Sequence, residues 1–205
     1  MLFSLIALVI LLIAAVALMR SFNTTLFTSG NIAFKRDLQN QGERAVAKVL
    51  KEFRVGALAS PLKRQTDLVA SNYSASTLPA NPQGIPDALK DDASFAGKGD
   101  PGNDITSDNE PTLANQAVSI RYIVDRMCDA AGADKALGAS SCVLTDNLPT
   151  GGSASNLQGA DRAPLGPGLQ TAATPGVIYR VSIRVNGPRN TQAFFQSTFT
   201  IPSST

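Results

Sequence analysis

The sequence predicts an α+β protein: a long N-terminal helix with a small antiparallel sheet packed on its C-terminal half. Three observations carry this expectation. Met1 to Met19 is apolar except for Ser4, with no charge before Arg20. A helical pattern resumes from Asn31, and no proline occurs before Pro61. Residues 177–201 alternate apolar and polar side chains on either side of the turn-forming run Asn186-Gly-Pro-Arg-Asn190, the signature of a β-hairpin.

The first run sets the question of function. At about 1.5 Å per residue it forms a helix of roughly 30 Å, the thickness of a bilayer's hydrocarbon core. Leu, Ile, Val and Ala occur at every angle, so the helix has no polar face and is expected among lipids or other apolar helices. Three readings compete: a secretory signal peptide, a permanent single-pass anchor, and a helix that sits first in a membrane and later packs into a protein assembly. The first fits poorly, because nothing basic precedes the run and Met19-Arg20-Ser21-Phe22 is a poor cleavage site. Arg20, Lys35 and Arg36 point to a cytoplasmic side by the positive-inside rule, whereas Cys128 and Cys142 suit an oxidising compartment. A short basic leader, once ahead of Met1 and since removed, would reconcile them.

Residues 20–30 are rich in Thr, Ser and Asn, and Gly30-Asn31 is a weak point at which the helix is expected to loosen. Beyond it, Ile32, Phe34, Leu38, Ala45, Val46, Val49, Leu50 and Phe53 follow helical steps. Lys35, Arg36, Asp37, Gln39, Glu43, Arg44, Lys48 and Lys51 fill the other side. An unbroken helix to residue 54 would be about 80 Å long, more than a simple anchor needs.

Residues 56–115 are proline-rich and polar, with Leu68-Val-Ala70 as a short strand or helical turn. The carboxylates at Asp91, Asp92, Asp100, Asp104, Asp108 and Glu110 invite a calcium reading, but their spacing does not match a helix-loop-helix calcium loop. A solvated surface loop is expected instead. Ala117 to Asp125 reads as a strand, with Val118, Ile120, Tyr122 and Val124 on one face. Cys128 and Cys142 follow. A disulfide between them would close a loop of about 15 residues and contribute roughly 3 kcal/mol. The alternative is two buried thiols, and an exported context favours the disulfide.

Residues 147–176 are turn-rich. In the hairpin, Val177, Tyr179, Val181, Ile183 and Val185 share one face, continued by Ala193, Phe195, Phe199 and Ile201 on the return strand. Arg180, Ser182 and Arg184 lie on the other, which is expected to stay wet. The natural cover for the apolar face is the helix over 32–53. The chain thus divides into an apolar helix over 1–27, an amphipathic half over 28–55 and a globular head over 56–205.

Composition excludes several functions. There is no His, which removes Ser-His and Cys-His nucleophile systems and imidazole metal sites. Zinc would need carboxylates and cysteines at spacings that are not present, so no cofactor is expected. A net charge of +2 without a basic tract gives no footprint for nucleic acid. No nucleophile motif and no carboxylate pair on a rigid element is evident, so an enzyme is not expected. Asn23-Thr-Thr25 and Asn72-Tyr-Ser74 fit the glycan acceptor pattern, which is often matched by chance.

The long apolar N-terminal helix, the sheet and the cysteine loop together resemble the type IV pilin superfamily. Closer likenesses are local. Ser29-Gly-Asn-Ile-Ala-Phe-Lys35, Ile120-Arg-Tyr-Ile-Val-Asp-Arg-Met-Cys128 and Tyr179-Arg-Val-Ser-Ile-Arg-Val-Asn-Gly-Pro-Arg-Asn-Thr191 resemble segments of PilX-like pilus assembly proteins. The resemblance implies a precursor cut before Met1, methylation of the new amine, and transfer from the inner membrane into an extracellular filament. The expected partners are copies of itself or other pilins, met through Met1, Leu2, Phe3, Leu5, Ile6, Leu8, Leu11, Leu12, Val16 and Met19. Most pilins carry Glu at the fifth mature position, thought to pair with a neighbour's terminal amine. Leu5 stands there instead, which points to a minor, priming or tip subunit, although a bulk subunit held by apolar packing alone is compatible. The rival readings are a membrane-anchored periplasmic scaffold of a secretion system and a filament adhesin that binds through its long loops.

Overall fold

A computed structural model describes residues 1–113, 117–148, 174–188 and 191–202. Much of the turn-rich stretch over 147–176 lies outside the described residues, as does the tip of the hairpin at 189–190. The chain forms two compact units, Met1–Asn40 and Gln41–Thr205.

Helix α1 spans Leu2–Val55. The expected loosening at Gly30-Asn31 does not occur. A glycine costs a helix interior only about 1 kcal/mol relative to alanine, and there is no proline to remove a hydrogen bond. The hydroxyls of Thr24, Thr25 and Thr28 donate to the carbonyls of Arg20, Ser21 and Thr24 at 3.1, 3.0 and 2.9 Å, so the polar segment satisfies itself inside the helix.

After α1 the chain makes a series of 3-10 turns, one of them at Val69–Ser71, where the sequence allowed a turn of helix. Then come strand β1 (Tyr73–Ser74), helix α2 (Asp92–Phe95), strand β2 (Ser119–Arg126), helix α3 (Asp134–Ser141), and strands β3 (Leu144–Leu148), β4 (Thr174–Asn186) and β5 (Gln192–Pro202). The five strands make one mixed sheet. β4 is its axis: β5 pairs with it antiparallel from Gly176 to Asn186, β2 from Tyr179 to Asn186, and β3 near its start. The sheet departs from the all-antiparallel expectation at β1, which pairs with β2 in parallel through Tyr73–Val124 and Ser74–Asp125.

One face of the sheet packs on the end of α1 as its apolar pattern requires. Ala45, Val49 and Phe53 are buried. The Phe53 ring lies 5.0 Å from both Tyr179 and Phe199 and 6.1 Å from Tyr73, each edge-on. Gly42 admits β5 closely: a Cβ there would stand 3.2 Å from the Phe195 ring.

The other face is not wet. Residues 78–105 cover it, and Ser182 and Arg184 are buried. Leu78, Ala88, Leu89 and Phe95 pack on Ile123, with Ile85 and Phe194 beside them. The reason is that the polar residues of this face are long cations that reach across to the loop. Arg184 Nη1 donates to the carbonyls of Leu89 (2.9 Å) and Lys90 (3.2 Å). Arg180 forms a forked ion pair with the fully buried Asp125, whose other contact is the Leu78 N–H at 2.9 Å. Arg121 binds Asp104 and Asp92 and lies 4.5 Å over the Phe95 ring. The carboxylates read as a solvated loop are thus partly the anchors that dock this loop.

Candidate assembly surface

The N-terminal half of α1 is the largest uncovered apolar surface among the described residues. Its best eighteen-residue window has a mean hydropathy of 3.1 and is 0 % buried. Met1, Leu2, Phe3, Leu5, Ile6, Leu8, Leu11, Leu12, Val16 and Met19 all lie on this stretch, and the least exposed of them, Ile6, is still 47 % exposed. Phe22, Leu26 and Phe27 extend it. Ser4, the one polar side chain of the run, turns its hydroxyl back to the Met1 carbonyl at 2.7 Å and so presents no free donor. A helix of this composition, uncovered on every side, is suited to lipid or to other apolar helices and to nothing aqueous.

No protein-family model matches the chain, and neither does any curated protein or any solved structure. The architecture itself is pilin-like: a long apolar N-terminal helix followed by a small sheet with a disulfide.

The two cysteines are joined, with Cα atoms 4.0 Å apart. Their loop is fastened by backbone pairs on both sides: Asp129 N–H to the Ser141 carbonyl (2.7 Å) and Val143 N–H to the Met127 carbonyl (2.8 Å). Sequence reasoning missed the residue that grips this loop. Arg126 is fully buried and belongs to the same face of β2 as Ile120, Tyr122 and Val124. That parity was readable: a cation in register with an apolar face is a buried cation, and a buried cation has partners. In the sequence, Asn72 fits only the glycan acceptor pattern. It is 0 % exposed, sits in the left-handed region (φ 52°), and holds the Tyr122 carbonyl and the Asp100 N–H at 3.0 and 2.7 Å. Its amide is therefore inaccessible in the folded protein.

A second feature is an open cleft of about 670 Å³ lined by Arg44, Lys48 and Lys51 from α1 and by Ile105, Asn109 and Glu110 opposite. Lys48 donates to the Asn103 carbonyl at 2.8 Å and lies over the Tyr122 ring. Burial lowers its pKa, against the pull of Asp104, Glu52 and Asp100. The acidic loop holds no group of three or more metal-ligating side chains among the described residues. Asp91 caps α2 by accepting from Ser94 N–H at 2.7 Å, and Asp100 accepts from Gly102 N–H at 2.8 Å.

Proposed function

We propose that this chain is a structural, non-enzymatic subunit of a type IV pilus-like extracellular filament, or a minor pilin of the PilX-like kind that primes its assembly. One observation carries the reading: an apolar helix uncovered around its whole circumference, continuous with the helix on which a folded head is built. In the membrane the lipid shelters that surface. Lipid tails are as apolar as leucine, so moving the helix from lipid to a bundle gains little hydrophobic free energy. Close packing against neighbouring helices supplies the driving force. A head-to-tail contact of this sort propagates helically when its rotation does not close.

The test is quantitative mass spectrometry of filaments sheared from cells, scoring this chain against every other subunit. Trace incorporation is expected for a priming or tip subunit, and dominance for a building block. Absence from sheared filaments with retention in membranes would replace the filament reading by a plain anchored scaffold. Leu12→Arg places a charge in the middle of the apolar run, where insertion carries a penalty of about 2.5–3.5 kcal/mol. The variant is expected to vanish from the sheared fraction, and wild-type incorporation would count against helix-driven assembly.

A further inference from the structure

The loop between the cysteines is gripped from inside by Arg126. Its guanidinium is 0 % exposed and makes four hydrogen bonds. Nε donates to the Ala75 carbonyl at 2.9 Å. Nη1 donates to the Gly132 carbonyl and to Asp134 Oδ1, both at 2.9 Å, and Nη2 to the Ala130 carbonyl at 3.2 Å. Three of the four acceptors lie between Cys128 and Cys142, and the fourth, next to β1, fixes the guanidinium from the opposite side. Gly132 has φ +142°, a conformation that L side chains rarely adopt, and its N–H donates to the Gln65 carbonyl at 2.9 Å. The loop is therefore tied to the body of the head through its middle as well as through its cysteines.

We propose that Arg126 and Asp134 form a clamp that assembles this loop before the disulfide exists, so that the fold presents the two thiols to each other and oxidation only seals a loop already in place. None of the contacts that define the clamp involves sulfur. A planar fork with fixed donors suits this task, because one side chain engages a carboxylate and backbone carbonyls at once. A buried guanidinium deprived of these acceptors would be an uncompensated charge, so the loop is drawn to it in the reduced chain as well. Closure needs an external oxidant, a small disulfide or a disulfide-donating oxidoreductase. The two thiols give up two protons and two electrons, and the donor disulfide leaves as two thiols. The clamp raises the effective concentration of one thiol at the other.

Two measurements on the full chain in detergent micelles test this. In Cys128→Ser/Cys142→Ser, the amides of Asp129, Gly132 and Val143 are expected to stay protected from hydrogen exchange. Adding Asp134→Asn, which removes the carboxylate that Arg126 binds in the loop and leaves the carbonyl bonds, is expected to lower their protection at least tenfold. In the second, the folded, reduced wild type is mixed with oxidised glutathione and loss of free thiol is followed. Asp134→Asn and Arg126→Lys, which keeps the charge but loses the fork, are expected to close at least tenfold more slowly, while the final S–S bond still forms. Unprotected loop amides in the serine variant, or closure rates equal to wild type in Asp134→Asn, would overturn the proposal. Asp134→Asn answers the question even if Arg126→Lys fails to fold.

Discussion

Single residues decide the geometry of the head at its tightest turns, and Asn72 shows how. The turn before β1 needs a left-handed residue, which Asn tolerates better than other non-glycine side chains. The same side chain then accepts from Asp100 N–H and donates to the Tyr122 carbonyl, tying the 100–103 turn to β2. Asn72→Ala removes both bonds in a fully buried site and adds left-handed strain. A loss of about 2–4 kcal/mol is expected in urea unfolding followed by tyrosine fluorescence. Asn72→Gly relieves the strain alone, so the difference between the two variants measures it. A cost below about 1 kcal/mol for the alanine would show that neither hydrogen bond matters to stability. In the sequence, Asn72-Tyr-Ser74 reads as a glycan acceptor because burial is a property of the packed chain, not of the tripeptide. Arg126 was more legible, since its parity with Ile120, Tyr122 and Val124 already placed it on the covered face.

At the scale of elements, what could be read was what repeats. The C-terminal half of α1, β2 and the β4–β5 hairpin follow their 3.6- and 2-residue periods, and the face of β4 toward α1 is the one its pattern named. The far face of the sheet was not legible, because Arg121, Arg180 and Arg184 look like solvated residues until the loop they bind is in place. β3 was missed because it has no apolar alternation, and β1 because two residues carry no period. The docking of residues 78–105 is therefore polar in its specificity and apolar in its filling. Asp125 joins the parts: it belongs to β2, pairs with Arg180 of β4, and accepts from Leu78 N–H at the start of the covering loop. Asp125→Ala leaves the largely buried Arg180 guanidinium without its ion-pair partner and the Leu78 N–H without its acceptor, and about 3 kcal/mol of destabilisation is expected. Asp125→Ala/Arg180→Met removes both charges and is expected to recover part of that loss. If the double variant is no more stable than the single one, the penalty lies in the Leu78 N–H and not in the ion pair.

For the molecule as a whole, the apolar half of α1 offers an uncovered surface suited to lipid or other apolar helices, and the head over residues 41–205 governs how the fold responds to pH. The apolar character of that half was legible because eighteen of its first nineteen residues are apolar. The response of the head to pH follows from which groups are held away from their ordinary pKa values. On the acid side, the Arg121 hydrogen bond holds Asp92 below the usual carboxylate range, and the N–H and hydroxyl of Ser94 do the same for Asp91. Both contributions are present at neutral pH and fade as the pH drops through those lowered values. On the alkaline side, all three tyrosines of the chain lie buried around Phe53 and β2. Burial raises each phenol; Tyr179 is pushed up to about 12, and Tyr73 and Tyr122 are raised as well. The neutral phenol is the folded form, and the unfolded chain loses its protons first, near pH 10. The tyrosines therefore stabilise the head fully below that pH, and their contribution falls as the pH rises through 10 toward the folded-state values. Absorbance at about 295 nm, the phenolate band, is expected to stay flat through pH 10 and then to rise steeply together with the loss of circular dichroism. Ordinary titration near pH 10 with the dichroism intact would mean that the Tyr73–Phe53–Tyr179 cluster opens to water without unfolding the head.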